Sequence, residues 1–156
     1  NNQVVPAYNP IETDTGFAVD YWSSVSNFAA DSPQQAPEGF EWLRHFEMHL
    51  PFTATLTIHF PGESRLVIMN AASPVSARKT RMFAPIARNF DLQVPVEDVH
   101  AFNLRVFEED RLMVETQKPE RLPLDLALEA HIPADRSSIA YRRGLKRMGF
   151  GEFFLV

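Results

Sequence analysis

Three consecutive carboxylates, Glu108, Glu109 and Asp110, lie in the segment 105–117, RVFEEDRLMVETQ. The rest of that segment has the apolar spacing of an amphipathic helix, which advances about 100° per residue. On this wheel Glu108 falls opposite the apolar stripe, and Glu109 falls on its flank, one turn from Arg105. Asp110 falls at the centre of the stripe. The sequence therefore predicts two solvated carboxylates, with an exposed Glu109–Arg105 pair, and one carboxylate that points inward.

A carboxylate on an apolar helix face is costly unless it is paired or binds a metal. Three interpretations of Asp110 follow. It pairs with a buried Arg or His from elsewhere in the fold, it is a metal ligand or catalytic group, or the helix is placed so that Asp110 is wet. Gln117, two turns further along the same face, fits either a supporting hydrogen bond to Asp110 or an ordinary amide with a backbone partner.

A second group of candidate ligands consists of His45, Glu47 and His49, which would share one face if 40–50 is a strand. Two His and one carboxylate are the facial ligand set of non-haem Fe(II) sites. Alternating polar residues are also typical of the water-facing side of a half-buried strand. Neither a G-x-S-x-G nucleophile motif nor a glycine-rich phosphate loop occurs in the sequence.

Composition limits the classes of function. The chain has 156 residues, which predicts one domain, and its net charge of -5 argues against nucleic acid as a partner. The one basic cluster, 141–147, reads as a solvated helix face. There is no cysteine, which excludes thiolate chemistry and cysteine-bound clusters in this chain and fits a reducing compartment such as the cytoplasm. No apolar run approaches the roughly 18 residues of a membrane span.

The elements that must position these residues change type along the chain. Strands are predicted over 16–26, 40–50, 53–60, 65–72 and 78–90. A loop is expected over 29–38, a turn at 61–63 and a break at 73–76, and Pro85 marks an edge or bulge in the last strand. Helices are predicted over about 98–118 and 133–148. Strands followed by helices predict an α+β fold with helices on one face of an antiparallel sheet, and a cavity between them suited to a small molecule.

The second half of the sequence resembles the catalytic domain of Rieske-type non-haem iron oxygenases of the vanillate demethylase and dicamba monooxygenase kind. The resemblance is carried by FNLRVFEEDRLMVETQKPERLP, 102–123, and ADRSSIAYRRGLKRMG, 134–149, and more loosely by MHLPFTATLTIHF and SPVSARKTRMFAPIARNFD. It implies a helix-grip (Bet v 1-like) antiparallel sheet wrapped around the C-terminal helices. It also implies that Asp110, the Asp of the family's E-D phrase, is the carboxylate ligand of a mononuclear iron.

The sequence departs from the family pattern in two ways. The family's two iron-binding His come from a D-x-x-H-x-x-x-x-H segment that does not occur here, and His45 and His49 have neither its spacing nor its place. The Rieske 2Fe-2S cluster needs C-x-H…C-x-x-H, which a chain without cysteine does not contain. Residues 1–156 are therefore expected to be a C-terminal catalytic fragment, inactive alone, whose Rieske domain and iron-binding His lie outside this chain.

For the intact protein, the resemblance implies electrons from NAD(P)H through a reductase or ferredoxin, O₂ activation at the Fe(II), and a homotrimer. The substrate would be an aromatic or other small hydrophobic molecule. Helix geometry nominates Phe102, Asn103, Val106 and Phe107 as cavity walls, although core packing alone would also bury the three apolar ones. Two other hypotheses remain: a non-redox helix-grip module that binds small molecules, and a structural domain in which Asp110 pairs with a buried Arg.

Overall fold

The computed structural model describes residues 7–24 and 36–151, and these form a sheet followed by two helices. The strands are β1 (Ile11–Glu12), β2 (Gly16–Ser23), β3 (Trp42–His49), β4 (Thr53–His59), β5 (Arg65–Ser76), β6 (Lys79–Phe83) and β7 (Ile86–Arg88). The helices are α1 (Val96–Glu115) and α2 (Arg136–Arg147). Short 3-10 turns cover Pro61–Glu63, Leu126–Leu128 and Pro133–Asp135. The predicted α+β class, an antiparallel sheet with C-terminal helices, is confirmed.

The sheet is an antiparallel meander in the order β1-β2-β3-β4-β5-β6, and β7 also pairs with β5. β6 and β7 thus lie along one edge of β5, separated at Ala84 and Pro85. A proline cannot donate a ladder hydrogen bond, so Pro85 interrupts this outer strand as predicted. Within the described residues, no helix is long and apolar enough to cross a membrane.

The two faces of the sheet differ in chemistry, because cross-strand partners point to the same side. The inner face carries an apolar cluster of Trp42, Ile58, Phe60 and Leu66, and each of these side chains is at most 8% exposed. Trp42 packs edge-on against Phe60, with ring centroids 5.2 Å apart. The outer face carries the odd-numbered residues of β3 and β4, which include three histidines and three threonines.

Helix α2 is the helix that lies against the sheet, where it contacts β2. Gly144 allows this approach, because a Cβ there would lie 2.4 Å from Cδ1 of Leu50. Tyr141, one turn earlier, donates a hydrogen bond from its hydroxyl to the Pro51 carbonyl at 2.9 Å. The loop between β3 and β4 therefore fixes the position of α2.

Several predicted boundaries need correction. The chain does not break at 73–76, because β5 runs on to Ser76 with a bulge between Pro74 and Ser76. Pairing with β4 stops at Ala71, so Pro74 faces no strand on that side and its missing N–H costs no ladder bond. Strand β1 was not predicted. The last residues of the predicted 16–26 strand and most of the 29–38 loop lie outside the described residues.

The basic cluster at 141–147 is only partly solvated. Arg142 is 6% exposed and its Nη2 lies 2.5 Å from Oε2 of Glu129. Its Nε also donates to the Pro123 carbonyl at 2.9 Å. The prediction of a uniformly solvated face was therefore wrong for Arg142, which joins α2 to the segment that follows α1.

Candidate functional site

Helix α1, which carries Asp110, has no buried residue along its full length. From its start to Phe107 the helix is half-buried on one side, at Val99, Phe102, Asn103 and Phe107. From Glu108 onwards every residue of the helix is exposed, with Met113 at 65% and Val114 at 71%. The apolar stripe therefore exists as predicted, but the described residues cover only its N-terminal part.

Asp110 is exposed, together with Glu108 and Glu109. The prediction that Asp110 points into a covered interior was therefore wrong for this chain taken by itself, because no element among the described residues covers that part of α1. Asp110 nevertheless lies on the same stripe as Val106 and Met113, as the helical spacing requires. Of the three interpretations of Asp110, the structure agrees with the solvent-exposed one for this chain. The role of Asp110 as a metal ligand stays a prediction.

The ion pairs on α1 differ from the expected one. Arg111 lies between Glu108 and Glu115, with Nη1 2.8 Å from Oε2 of Glu115 and Nε 2.9 Å from Oε2 of Glu108. The hydrogen bond from Arg111 lowers the pKa of Glu108. Arg105 instead places its guanidinium carbon 5.5 Å from the ring centroid of Phe102. The predicted Glu109–Arg105 ion pair is not formed. Instead, Arg111 pairs with Glu108 and Glu115 on the side of the helix opposite the apolar stripe.

The remaining predicted site residues lie on α1 or directly after it. Gln117 donates from Nε2 to the Met113 carbonyl at 3.1 Å, which is the backbone-partner alternative. Asn103 donates from Nδ2 to the Val99 carbonyl at 2.7 Å. Val106 is 37% exposed, so it is the most open of the four nominated wall residues.

Contacts with the rest of the domain hold α1 at its two ends. Before the helix, Arg88 of β7 donates to the Val94 carbonyl at 3.1 Å. After the helix, Arg78 lies 3.0 Å from Glu120. These attachments, with the bond from Arg142 to the next loop, place α1 without covering its middle.

His45, Glu47 and His49 share the outer face of β3, as the alternation predicted. Nδ1 of His45 lies 2.6 Å from Oδ1 of Asp20, its cross-strand partner. His49 lies 3.8 Å from Glu47 and 2.9 Å from the Thr15 hydroxyl. On the same face, burial and the nearby positive charge of Arg65 lower the pKa of His59. The contacts of His45 with Asp20 and of His49 with Glu47 and Thr15 are typical of the water-facing side of a strand.

Within the described ranges 7–24 and 36–151, no group of three or more His, Cys, Asp or Glu side chains could hold a metal ion. The facial set His45, Glu47 and His49 is therefore not a metal site in this structure. The residues present also do not fit a complete iron centre around Asp110. They provide one carboxylate ligand at most, and no chemical step through iron follows from this chain's geometry.

A cavity of about 500 Å³ lies between the sheet and α2. Its lining comes from β2, β3, β4 and the start and middle of α2, and includes Phe17, Tyr21, Phe46, Met48 and Tyr141. No residue of α1 lines it. The sequence predicted a cavity between sheet and helices but assigned its walls to α1. The alternation of 42, 44, 46 and 48 was the available signal, but nothing in the sequence told which helix lies above that face.

Comparison with known proteins shows which family this chain belongs to. Residues 16–149 match the family described as the vanillate O-demethylase oxygenase C-terminal domain. The chain therefore belongs to that family and is a Rieske-type oxygenase C-terminal domain, as the resemblance implied.

Two similar proteins are demethylases of Pseudomonas putida. The methylxanthine N1-demethylase NdmA is 33% identical over 138 residues, which cover 83% of this chain and 37% of NdmA. The methylxanthine N3-demethylase NdmB is 30% identical over 118 residues, which cover 74% of this chain and 31% of NdmB. The structure of NdmA from Pseudomonas putida CBB5 with caffeine matches with a TM-score of 0.67 and 25% identity, over 99% of this chain and 44% of that one. This chain thus spans less than half the length of these relatives.

Proposed function

We propose that this chain is the C-terminal catalytic domain of a Rieske non-haem iron oxygenase that hydroxylates or demethylates an aromatic or other small hydrophobic substrate. The observation that carries the proposal is the family match over residues 16–149, which includes the E-D phrase on α1. Relatives that act on methylxanthines support N-demethylation of a flat heteroaromatic molecule in particular.

In this proposal Asp110 is one of three ligands of the mononuclear iron, and the two His ligands come from outside this chain. The iron, when bound, supplies the activation of O₂. Asp110 supplies a hard oxygen ligand on a helix, and Phe102, Asn103, Val106 and Phe107 form the nearby wall for the substrate. Gln117 would support Asp110 by exchanging its present bond to the Met113 carbonyl for one to the carboxylate.

The remaining parts of the enzyme lie outside residues 1–156 in this proposal. The chain has no cysteine, so the 2Fe-2S cluster must be held by another domain of the polypeptide. Electrons would come from NAD(P)H through a reductase or ferredoxin. The full-length protein would work as a homotrimer in the cytoplasm.

The ligand assignment is tested with Asp110→Ala in the full-length protein. We expect loss of mononuclear iron, measured as total iron per subunit, while the visible spectrum of the Rieske cluster is unchanged. Glu109→Ala is the matched control, since Glu109 is the exposed neighbour on the flank of the stripe, and it should retain both metal centres. Iron and demethylation activity retained in Asp110→Ala would refute the assignment.

The isolated chain should bind no stoichiometric iron and show no turnover, because a single carboxylate leaves most coordination positions to water. Anaerobic titration of the purified 156-residue chain with Fe(II), followed by removal of free metal, measures this. One tightly bound iron per chain, with turnover of any substrate, would show that the site is complete without the rest of the protein.

A second candidate function is a non-redox module that binds small molecules. The observation in its favour is that the cavity beneath α2 is formed within this chain, whereas the described residues form no metal site. The gene region upstream distinguishes the two. A preceding segment with C-x-H…C-x-x-H and D-x-x-H-x-x-x-x-H supports the oxygenase, and a start codon at or near Asn1 supports the binding module.

A further inference from the structure

Helix α1 carries apolar side chains on two opposite sides. One side is the stripe that contains Asp110, which the proposed iron site would occupy. Leu104 and Leu112 lie on the other side, since a step of about 100° per residue places both roughly opposite Asp110. They are 55% and 54% exposed. A helix that packs on one side only is polar on the other, so the iron site does not explain these two leucines.

The two leucines belong to a line of exposed residues, which we call the acidic ridge of α1. The residues that fall within about 40° of this line, at about 100° per residue, are Glu97, Leu104, Glu108, Leu112 and Glu115. Arg111 lies beside the line and pairs with Glu108 and Glu115. Because the ridge has more carboxylates than guanidinium groups, it keeps an excess of negative charge around the leucines.

Helix α2 carries a ridge of the opposite charge, the basic ridge, formed by Arg143, Lys146 and Arg147. Their spacing places them on one face of the helix, and all three are exposed and line an open recess of about 340 Å³. Of the three, only Arg147 has an ion-pair partner among the described residues, Glu12 at 3.2 Å. Lys and Arg side chains line such a recess with aliphatic stems and hold their charges at its rim. The recess therefore suits an apolar side chain flanked by carboxylates.

We propose that the acidic ridge of α1 in one copy of the protein docks on the basic ridge of α2 in the next copy. This inference rests on the proposed function, which expects a homotrimer, and adds the surfaces through which the copies meet. The two ridges are different patches of the same chain, so the contact is head-to-tail. Contacts of this kind close into a ring when the rotation between copies allows it.

The two parts of the contact have separate roles. Each chain has a net charge of -5, so two copies repel each other as wholes, and a local contact between opposite charges orients them. Exposed ion pairs contribute little affinity by themselves. Burial of Leu104 and Leu112 against the aliphatic stems of the basic ridge supplies the apolar contribution that the ion pairs lack.

The experiment reverses the charge of each ridge in the full-length protein and measures assembly by sedimentation velocity over a concentration series. Arg143→Glu with Lys146→Glu should weaken assembly about tenfold or more, because attractive pairs become repulsive ones. Glu108→Lys with Glu115→Lys should have a similar effect. The fourfold variant, in which both ridges exchange sign, should recover assembly. Unchanged assembly of either double variant, or a fourfold variant that assembles no better than they do, would overturn the contact.

Lys79→Glu with Arg81→Glu is the matched control, since it makes the same change of charge at two exposed positions of β6, outside both ridges. It should assemble as the wild-type protein does. A loss of assembly as large as that of the ridge variants would show a general effect of charge and would overturn the proposal.

The apolar part of the contact has its own test. Leu104→Gln with Leu112→Gln keeps every charge and residues of good helix propensity, and it should weaken assembly about tenfold while the circular dichroism spectrum is unchanged. Wild-type assembly in this variant would overturn the docking of the leucines. Iron per subunit and the visible spectrum of the Rieske cluster report separately on the proposed function. Wild-type protein without these centres would refute that function, whereas ridge variants that keep both centres and assemble normally would refute only the contact.

Discussion

Arg142 and Glu129 form the most buried ion pair of the described residues, with Nη2 and Oε2 2.5 Å apart and side-chain exposures of 7% and 25%. Ser138 and the Pro123 carbonyl bind the same guanidinium. The pair joins α2 to the segment that returns from α1. Its charges are therefore satisfied by groups from two elements that are separate along the chain.

Glu129→Ala should destabilise the domain by about 3 kcal/mol, because it leaves a buried guanidinium without its counter-charge. Urea unfolding followed by circular dichroism measures the change. Glu12→Ala is the control, since Glu12 pairs with Arg147 on the surface with 79% of its own side chain exposed, and it should cost less than about 1 kcal/mol. Equal effects of the two variants would show that burial of the Arg142 pair is energetically unimportant.

Gly144→Ala should destabilise the packing of α2 on the sheet by about 1–3 kcal/mol, because its Cβ would overlap the side chain of Leu50. The gain in helix propensity from Ala, about 1 kcal/mol, would offset part of this loss. The double variant Gly144→Ala with Leu50→Ala tests the cause, since the overlapping atoms are then removed. We expect the two substitutions to be strongly non-additive in thermal unfolding. Simple addition of their effects would contradict a direct clash.

Tyr141 should make the domain lose stability in alkaline solution. Its pKa is raised above the ordinary value of 10.0 by burial. The folded protein then holds the phenol proton more tightly than the unfolded chain, and unfolding releases that proton once the pH exceeds the unfolded pKa of about 10. The stability contribution is therefore complete below pH 10 and declines as the pH rises towards the folded pKa. Tyr141→Phe should flatten this decline in unfolding curves measured from pH 8 to 11.

The absorbance of phenolate provides a second measurement of the same effect. The chain has three tyrosines, and one of them should titrate at higher pH than an exposed tyrosine does. That late component should be missing in Tyr141→Phe. A late component that persists in the variant would assign the shift to another tyrosine.

The C-terminal half of α1 should exchange its amide hydrogens much faster than β3, β4 and β5 in the isolated chain. Its residues from Arg111 to Glu115 are all exposed, and helices in proteins owe most of their stability to packing. Hydrogen–deuterium exchange with mass spectrometry measures this by segment. In the full-length protein, where the proposed iron site would involve Asp110, the same segment should be protected. Equal protection in both would mean that α1 is stable without further contacts.

The fold was more predictable from the sequence than the site. Alternation placed β2, β3 and β4 near their observed bounds, and proline and glycine placed α2, because these signals are local. The two-residue strand β1 was not predicted, because two residues are too few to show an alternating pattern. The break expected at 73–76 was wrong because an edge position, which depends on tertiary pairing, tolerates Pro74.

The helical wheel predicted correctly which α1 residues share a face, and incorrectly what covers that face. Helical spacing determines direction around an axis, whereas the burial of Asp110 depends on what packs against that side. Arg142 shows the reverse case: a basic residue in a charged run is buried because Glu129 and the Pro123 carbonyl reach it from a distant segment. Neither outcome is encoded within a window of local sequence.

The end attachments of α1 have a consequence for genetics. Arg88 and Arg142 bond to backbone carbonyls before and after α1, and neither touches Asp110. We expect substitution of Arg142, which is 6% exposed, to shift the segment that follows α1 and with it the carboxylate. In the full-length protein, such variants would present as metal-loading defects although the proposed ligand itself is intact.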